Sequence, residues 1–297
     1  MLEDLPAADE ITKQVDRLLR QAEAYGRYPT PVDDLVQAAR LQRSDDYVLD
    51  ESLISKAPLA LRGLLRSARH KIQGLLDRRA RVIHVSPTID NEGKQRFVLL
   101  HETSHGIIPH QRDLLYADDN ETLSPATNLM FEREANQAAA ELLFQRNDFA
   151  KTAAQFEISL DTVRYLAQHY GSSFHAALRR YAETHAEALA VLALGPTPVR
   201  QDPATWRRYE ALASLAWTTR FGRPTWPTRM TAHQHPFLLG LDGIQADEHT
   251  LRDRQGVPTA IQVETTQTPY RSFVLLWLPG RRSLLGRRKV IVPATNP

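Results

Sequence analysis

The stretch of the 297-residue chain that decides the fold reads His101-Glu102-Thr103-Ser104-His105. Apolar residues at helical spacing surround this motif, and Pro109 follows it, so we predict a helix that contains the motif and ends before the proline. On a helix, residues four apart project from the same face. The two imidazoles can therefore reach a single metal ion, which makes His101 and His105 candidate ligands.

A third ligand has to come from elsewhere in the chain. The sequence contains no cysteine, and Gln111 stands where an extended form of the motif would place a third histidine. An acid on a later helix remains, and Glu132 with Asn136 forms such a pair on a predicted helix over residues 128–143. Asn136 is expected to accept a hydrogen bond from the far ring nitrogen of a ligating histidine.

Other acids near the motif stay open as alternatives to Glu132. Glu134 is the first rival, expected on a different face of the same helix and nearer to solvent. The more remote candidates are Glu141, Asp118 and Asp119.

Two histidines and one carboxylate leave a coordination position for water, which is typical of a catalytic zinc site rather than a structural one. Glu102 lies between the two histidines in sequence and is suited to act as general base toward that water. His110 and Tyr116 follow the motif and are candidates for stabilising a developing oxyanion, without an assignment.

Composition places the chain among globular proteins, with 42% hydrophobic and 24% charged residues. The lack of cysteine excludes disulfides, thiol nucleophiles and thiolate metal sites. Acids near the N-terminus and the absence of a long apolar run predict a cytoplasmic protein without membrane association. Residues 195–297 hold 14 Lys and Arg against 7 Asp and Glu, which indicates a basic C-terminal region.

Hydrophobic periodicity divides the chain into three parts. We predict two helices within 8–41, a helix over 57–76, a strand over 81–85, two helices over 160–169 and 173–181, and a linker over 194–198. After the linker we predict a helix over 206–217 and strands over 261–264, 273–278 and 290–292. The four tryptophans are expected in the core.

These residues resemble the ImmA/IrrE family of zinc metallo-endopeptidases. The resemblance covers about residues 8–145 and rests on residues 81–85 as an edge strand, the HExxH motif, and the segment Glu132-Arg133-Glu134-Ala135-Asn136. It implies an α+β fold: a mainly helical zincin-like (gluzincin-type) metallopeptidase domain with a small sheet over 1–150, a helix-turn-helix domain over 151–194, and a GAF-like sensor domain over 199–297. It also implies zinc bound by His101, His105 and Glu132, with Glu102 as base.

The resemblance further implies a substrate, a helix-turn-helix repressor of XRE type, whose cleavage relieves repression of stress, DNA-damage or mobile-element genes. Manganese or iron are alternatives to zinc in the cell. A different hypothesis is a regulatory protein in which the helix-turn-helix segment or the basic C-terminal region binds DNA or a partner. Residues 151–194 carry four basic and four acidic residues, and this neutral balance disfavours DNA.

Overall fold

The helix that carries the HExxH motif runs from Glu92 to Ile107 in a computed structural model of the chain. The structure describes residues 6–44, 73–111, 125–195, 205–242, 249–279 and 288–290. The predictions for residues 57–72, 196–198 and 291–292, and for Tyr116, Asp118 and Asp119, lie outside this part of the chain.

The described elements form a mixed α+β architecture in two compact units, which comprise residues 1–148 with 168–173, and residues 149–167 with 174–297. The helices are α1 (Ala8–Gln21), α2 (Val32–Ala38), α3 (Glu92–Ile107), α4 (Pro125–Leu143), α5 (Asp148–Ala153), α6 (Leu160–Tyr170), α7 (Phe174–Thr184), α8 (Leu215–Phe221) and the 3-10 helix Pro236–Asp242. The strands are β1 (Gln42–Ser44), β2 (Gly74–Asp77), β3 (Val82–Val85), β4 (Leu189–Leu194), β5 (Thr205–Ala213), β6 (Arg229–Thr231), β7 (His249–Arg252), β8 (Pro258–Gln267) and β9 (Ser272–Trp277). Among the described helices, none combines the length and the apolar character that crossing a membrane requires.

The first unit is built on the contact between α3 and α4. The N-terminus of α3 is capped by Asn91, whose side chain accepts a hydrogen bond from Lys94 N at 2.8 Å. The apolar face of α1, with Ile11 and Leu19 fully buried, packs against α4. The predicted helices within 8–41 are therefore confirmed as α1 and α2.

A three-stranded sheet in the order β1-β3-β2 completes the first unit. The strand predicted over 81–85 is present as β3, but it is the central strand. Residues 74–76, which lie at the end of the predicted helix over 57–76, belong to β2 instead, and this strand pairs antiparallel with β3. The helix prediction was wrong at this point because the local pattern of Gly74-Leu75-Leu76-Asp77 does not reveal a pairing partner that lies beyond a turn.

The second unit contains a six-stranded antiparallel sheet in the order β6-β5-β4-β9-β8-β7. Every residue of β4 is buried, so side chains cover both faces of the sheet at its centre. Helix α7 packs against β4 and β5, and α8 also contacts β4. Trp206 and Trp217 are buried in the core of this unit, as expected.

Two predictions for this region were wrong: the helix over 206–217 and the domain boundary at residue 194. Residues 205–213 form β5 rather than a helix, because they pair with β4 on one side and β6 on the other. The helices predicted over 160–169 and 173–181 are confirmed as α6 and α7, with Gly171 at a φ of +67° in the turn between them. The expected boundary at residue 194 is nevertheless not a boundary between units, since β4 belongs to the same sheet as β5 and β9.

A substitution in β4 tests this arrangement. Leu192 is fully buried within the core of the second unit. We expect Leu192→Ala to lower the free energy of unfolding by roughly 2–5 kcal/mol, because it leaves a cavity between tightly packed side chains. Urea denaturation followed by circular dichroism measures the change.

The matched control is Leu215→Ala, because the side chain of Leu215 is 73% exposed. Its effect on the free energy of unfolding should stay within about 0.5 kcal/mol. Equal effects of the two substitutions would contradict a central, doubly covered β4.

Candidate metal centre

The two histidines of the HExxH motif lie one helical turn apart on α3 and face each other. Their ring centroids are 4.8 Å apart, and the Nε2 atoms of His101 and His105 are separated by 3.2 Å. His105 is buried, and the exposed fraction of the His101 side chain is 15%. The helix thus presents two imidazole nitrogens to one point, as the motif spacing predicts.

Helix α4 brings a carboxylate to the same point. Glu132 Oε2 lies 3.3 Å from His101 Nε2, and Glu132 Oε1 lies 3.5 Å from His105 Nε2. Among the described residues, these three form the cluster able to hold a metal ion. Ligands at the zinc distances of ~2.0–2.1 Å in tetrahedral geometry are ~3.3–3.4 Å from one another. The observed separations of 3.2, 3.3 and 3.5 Å fit that requirement.

The carboxylate and the imidazoles of this cluster stabilise one another's charged forms. Interactions with the imidazoles of His101 and His105 hold the pKa of Glu132 far below its usual range. Burial works against protonation of His101, but the hydrogen bond to Glu132 and the charges of Glu102 and Glu132 outweigh it, and the pKa of His101 is raised. The site therefore favours a positive charge at its centre, which is what a metal ion supplies.

Glu102 stands beside this cluster rather than in it. Burial raises the pKa of its carboxyl group, while His101 and His105 act in the opposite direction. Its side chain lines the same cleft as the three candidate ligands. An acid at that place can exchange a proton with a molecule in the cleft without giving up a ligand position.

The cleft has a volume of about 580 Å³ and is bordered by elements of the first unit alone. Gly74, Leu75 and Leu76 of β2 and the nearby Arg78 form one side. Residues of α3 and α4 form the other side. A strand with its backbone at the border of the cleft therefore lies opposite the metal-ligating side chains.

Asn136 lines the cleft. A hydrogen bond that Asn136 accepts from His101 contributes to the raised pKa of His101. The far ring nitrogen of that residue, His101 Nδ1, nevertheless has no hydrogen-bond partner within the described part of the chain. The far nitrogen of His105 is bonded to Gln111 Oε1 at 2.7 Å. Among the described residues, the far ring nitrogen of a candidate ligand is therefore bonded by Gln111 and not by Asn136, while the supporting role of Asn136 at this site stays a prediction.

Glu134 also differs from expectation. It does lie on another face of α4 than Glu132, but it is only 1% exposed, whereas the Glu132 side chain is 56% exposed. The reason is that Glu134 accepts hydrogen bonds from two neighbours, the buried Gln111 and the partly exposed His110. His110, an oxyanion candidate from the sequence, bonds to Glu134 and is not among the described residues that line the cleft. Glu141 is buried and accepts a hydrogen bond from Gln137 at 3.0 Å.

Gln111 is a candidate functional residue that the sequence marks only as a position where a histidine is lacking. No local signal identifies it, because its partners on α4 lie 20 and more residues further along the chain.

Metal analysis tests the proposed ligand set. We expect Glu132→Ala to lose the zinc that the wild type retains after dialysis, because two imidazoles alone leave the site without its anionic ligand. Elemental analysis of the purified proteins measures the zinc content per chain. The control is Arg133→Ala, at the neighbouring exposed position, which should keep its zinc. Zinc retained in full by Glu132→Ala would contradict the assignment.

Comparisons with known proteins agree with this geometry. A protein-family model of peptidase M78, described as "IrrE N-terminal-like domain", matches residues 64–181. Among solved structures, a chain described as a Mycobacterium tuberculosis transcriptional regulator resembles the protein with a TM-score of 0.51 and 12% identity, over 90% of this chain and 86% of that one. At this identity the likeness concerns the fold. A search of curated proteins gives no match.

The family match spans the HExxH motif and Glu132, and M78 peptidases are metallopeptidases, which fits a zincin-like fold for the first unit. Residues 64–181 therefore match the IrrE N-terminal-like domain of the M78 peptidases, which confirms the resemblance to the ImmA/IrrE family.

Proposed function

We propose that the protein is a zinc-dependent endopeptidase. The observation that carries this proposal is the triangle of His101, His105 and Glu132 with the carboxyl group of Glu102 beside it in an open cleft. Zinc fits this donor set because it binds imidazole nitrogen and carboxylate oxygen at tetrahedral spacing. When bound there, zinc supplies Lewis acidity, which polarises a carbonyl group and makes water more acidic.

The chain's own residues supply the proton transfers. Glu102 takes a proton from the attacking water and delivers it to the nitrogen of the leaving amine. Its partial burial favours this task, because a carboxyl group with a raised pKa can both accept and return a proton. Glu132 and the two imidazoles hold the ion and take no part in the proton transfer.

Strand β2 offers a docking site for the peptide. Within the described residues it pairs only with β3, so its other edge faces the cleft with unpaired backbone groups. An extended peptide can pair with such an edge and lay its backbone across the cleft. Leu75, which is 40% exposed, adds an apolar contact for a substrate side chain.

The substrate in this proposal is a helix-turn-helix repressor of XRE type, as the resemblance to the ImmA/IrrE family implies. Its cleavage relieves repression of stress, DNA-damage or mobile-element genes. We also propose that the second unit is the GAF-like sensor of that family. Its six-stranded antiparallel sheet with a helix packed on it supports this assignment.

DNA binding through α6 and α7 is less well supported than proteolysis. A recognition helix needs an exposed face that can enter the major groove. In α7, Leu178, Arg180 and Tyr181 are buried, and Arg179, its exposed basic residue, is engaged with Glu210 at 2.7 Å. These contacts favour a structural role for the helix pair within the second unit.

Replacement of the proposed base tests the chemistry. We expect Glu102→Gln to reduce proteolysis by roughly 10²–10⁴-fold, because the amide cannot accept the proton from water. The variant should keep its zinc, since Glu102 does not belong to the ligand cluster. The assay adds zinc-loaded protein to a native extract of cells that make this chain and identifies new protein N-termini by mass spectrometry.

We expect the zinc-loaded wild type to produce few new protein N-termini, one of them in a helix-turn-helix repressor. Termini that persist with Glu102→Gln, or a zinc-loaded wild type that produces none, would contradict the proposed activity.

Gly74 offers a second test, directed at the position of Glu102. A methyl group on Gly74 would lie 2.8 Å from Glu102 Oε1 and 2.5 Å from Val98 Cγ1. The flexible carboxylate can move away more easily than the backbone, so Gly74→Ala should displace Glu102 and leave the ligands in place. We expect proteolysis to fall by roughly tenfold to hundredfold while zinc binding is unchanged.

The control is Gly106→Ala, where the added methyl group meets the ends of two flexible side chains, Leu41 at 3.0 Å and Leu76 at 3.7 Å. Its activity and zinc content should match those of the wild type. Full activity of Gly74→Ala would show that the position of Glu102 does not depend on this close approach.

A further inference from the structure

A buried polar chain lies behind the metal-ligating ring of His105. It begins at His105 Nδ1, the nitrogen directed away from the other ligands, which is 2.7 Å from Gln111 Oε1. Gln111 is fully buried, and the chain continues from its amide nitrogen to Glu134 Oε2 at 2.7 Å. Glu134 is itself 1% exposed. Polar groups at this depth are retained only when they are hydrogen-bonded.

The orientation of the Gln111 amide follows from its partners. Its nitrogen donates to two acceptors, the carboxylate of Glu134 and the carbonyl oxygen of Phe131 at 3.2 Å. Neither acceptor can donate in return, so the amide oxygen must face His105. An amide oxygen only accepts, and His105 Nδ1 therefore carries the hydrogen.

A histidine that carries its hydrogen on Nδ1 has a free lone pair on Nε2. Nε2 is the atom of His105 that points toward His101 and Glu132. The buried chain thus holds the ring in the tautomer and the orientation that metal binding requires.

Glu134 anchors this chain from the other side. In addition to Gln111 it accepts a hydrogen bond from His110 Nε2 at 2.7 Å, and the side chain of His110 is 34% exposed. Two donors therefore satisfy a carboxylate that could not otherwise remain buried. This explains why an acid two positions after the proposed ligand Glu132 points into the protein instead of into the cleft.

We propose that Gln111 is the positioning residue of the metal centre and that Glu134 fixes its orientation. The inference rests on the metal site proposed above. His101 has no equivalent support, because its Nδ1 lacks a hydrogen-bond partner among the described residues. Of the two histidines, His105 is the ligand that the protein orients before the ion binds.

Zinc affinity of the purified full-length protein tests this role, measured by competition with a chromogenic chelator. Gln111→Met keeps the approximate size of the side chain but removes the acceptor at His105 Nδ1. We expect zinc affinity to fall by roughly 10–100-fold, the range typical for loss of such a supporting contact. Circular dichroism of the zinc-free proteins confirms that the fold is retained.

A double variant that exchanges the side chains of residues 111 and 134 tests whether zinc affinity can be restored. In Gln111→Glu/Glu134→Gln, the carboxylate at position 111 accepts from His105 Nδ1, and the amide at position 134 donates to it. We expect this variant to bind zinc at least tenfold more tightly than Gln111→Met, because restoring the supporting contact should recover the affinity that its loss costs. Equal affinities of these two variants would overturn the proposal, because a role in packing alone predicts no rescue.

The matched control is Gln137→Met on α4, which breaks a hydrogen bond between Gln137 and Glu141 that has no link to His105. It should bind zinc like the wild type, and a loss equal to that of Gln111→Met would overturn the assignment. A wild type that binds no zinc would instead refute the metal site itself. If the wild type binds zinc and Gln111→Met binds it with the same affinity, only the role of Gln111 is refuted.

Nitrogen NMR of the ring of His105 in the zinc-free wild type provides a test without any substitution. Spectra recorded at alkaline pH report which ring nitrogen carries the hydrogen. The structure requires a hydrogen on Nδ1, and a hydrogen found on Nε2 would overturn the proposal.

Discussion

The site depends on the packing of α3 against α4, because this contact brings a carboxylate from one helix within 3.5 Å of imidazoles on the other. Helix α4 is rich in fully buried alanines, including Ala135 and Ala138, and short side chains at a helix contact allow a small distance between the axes. The chain ties the two helices together a second time through Gln111, which reaches the carbonyl oxygen of Phe131 and the carboxylate of Glu134. The distance between the ligands is therefore controlled by the same contacts that stabilise the first unit.

The carboxyl groups near the ion have separate tasks because their surroundings differ. Glu132 is largely exposed and bonded to both imidazoles, which keeps it ionised. Glu102 is more buried, and burial raises its pKa, so it is suited to proton transfer. Glu134 is fully enclosed by donors and serves the structure. Differences in burial and hydrogen bonding thus suit three acids of α3 and α4 to different proposed roles: Glu102 to that of a base, Glu132 to that of a ligand and Glu134 to that of an anchor.

The second unit shows how a local pattern can mislead. The segment 205–213 contains residues compatible with a helix, yet its backbone pairs with strands on both sides. Residues 189–194 end the segment assigned to a helix-turn-helix domain, and the structure places them at the centre of a sheet. Pairing partners of β4 lie as far away as β9, and such distant contacts leave no periodic signal in the segment itself.

The sequence by itself determined the helix with the HExxH motif, the two histidine ligands on one face, the position of Glu102 and the ranking of Glu132 before other acids. It could do so because i and i+4 neighbours on a helix meet whatever the rest of the chain does. Only the tertiary structure decided that Glu134 is buried, that Gln111 and not Asn136 bonds the far nitrogen of a ligand, and that β2 borders the cleft. These features arise from contacts between segments distant in sequence, and burial of a polar group is fixed by the partners that the fold places around it.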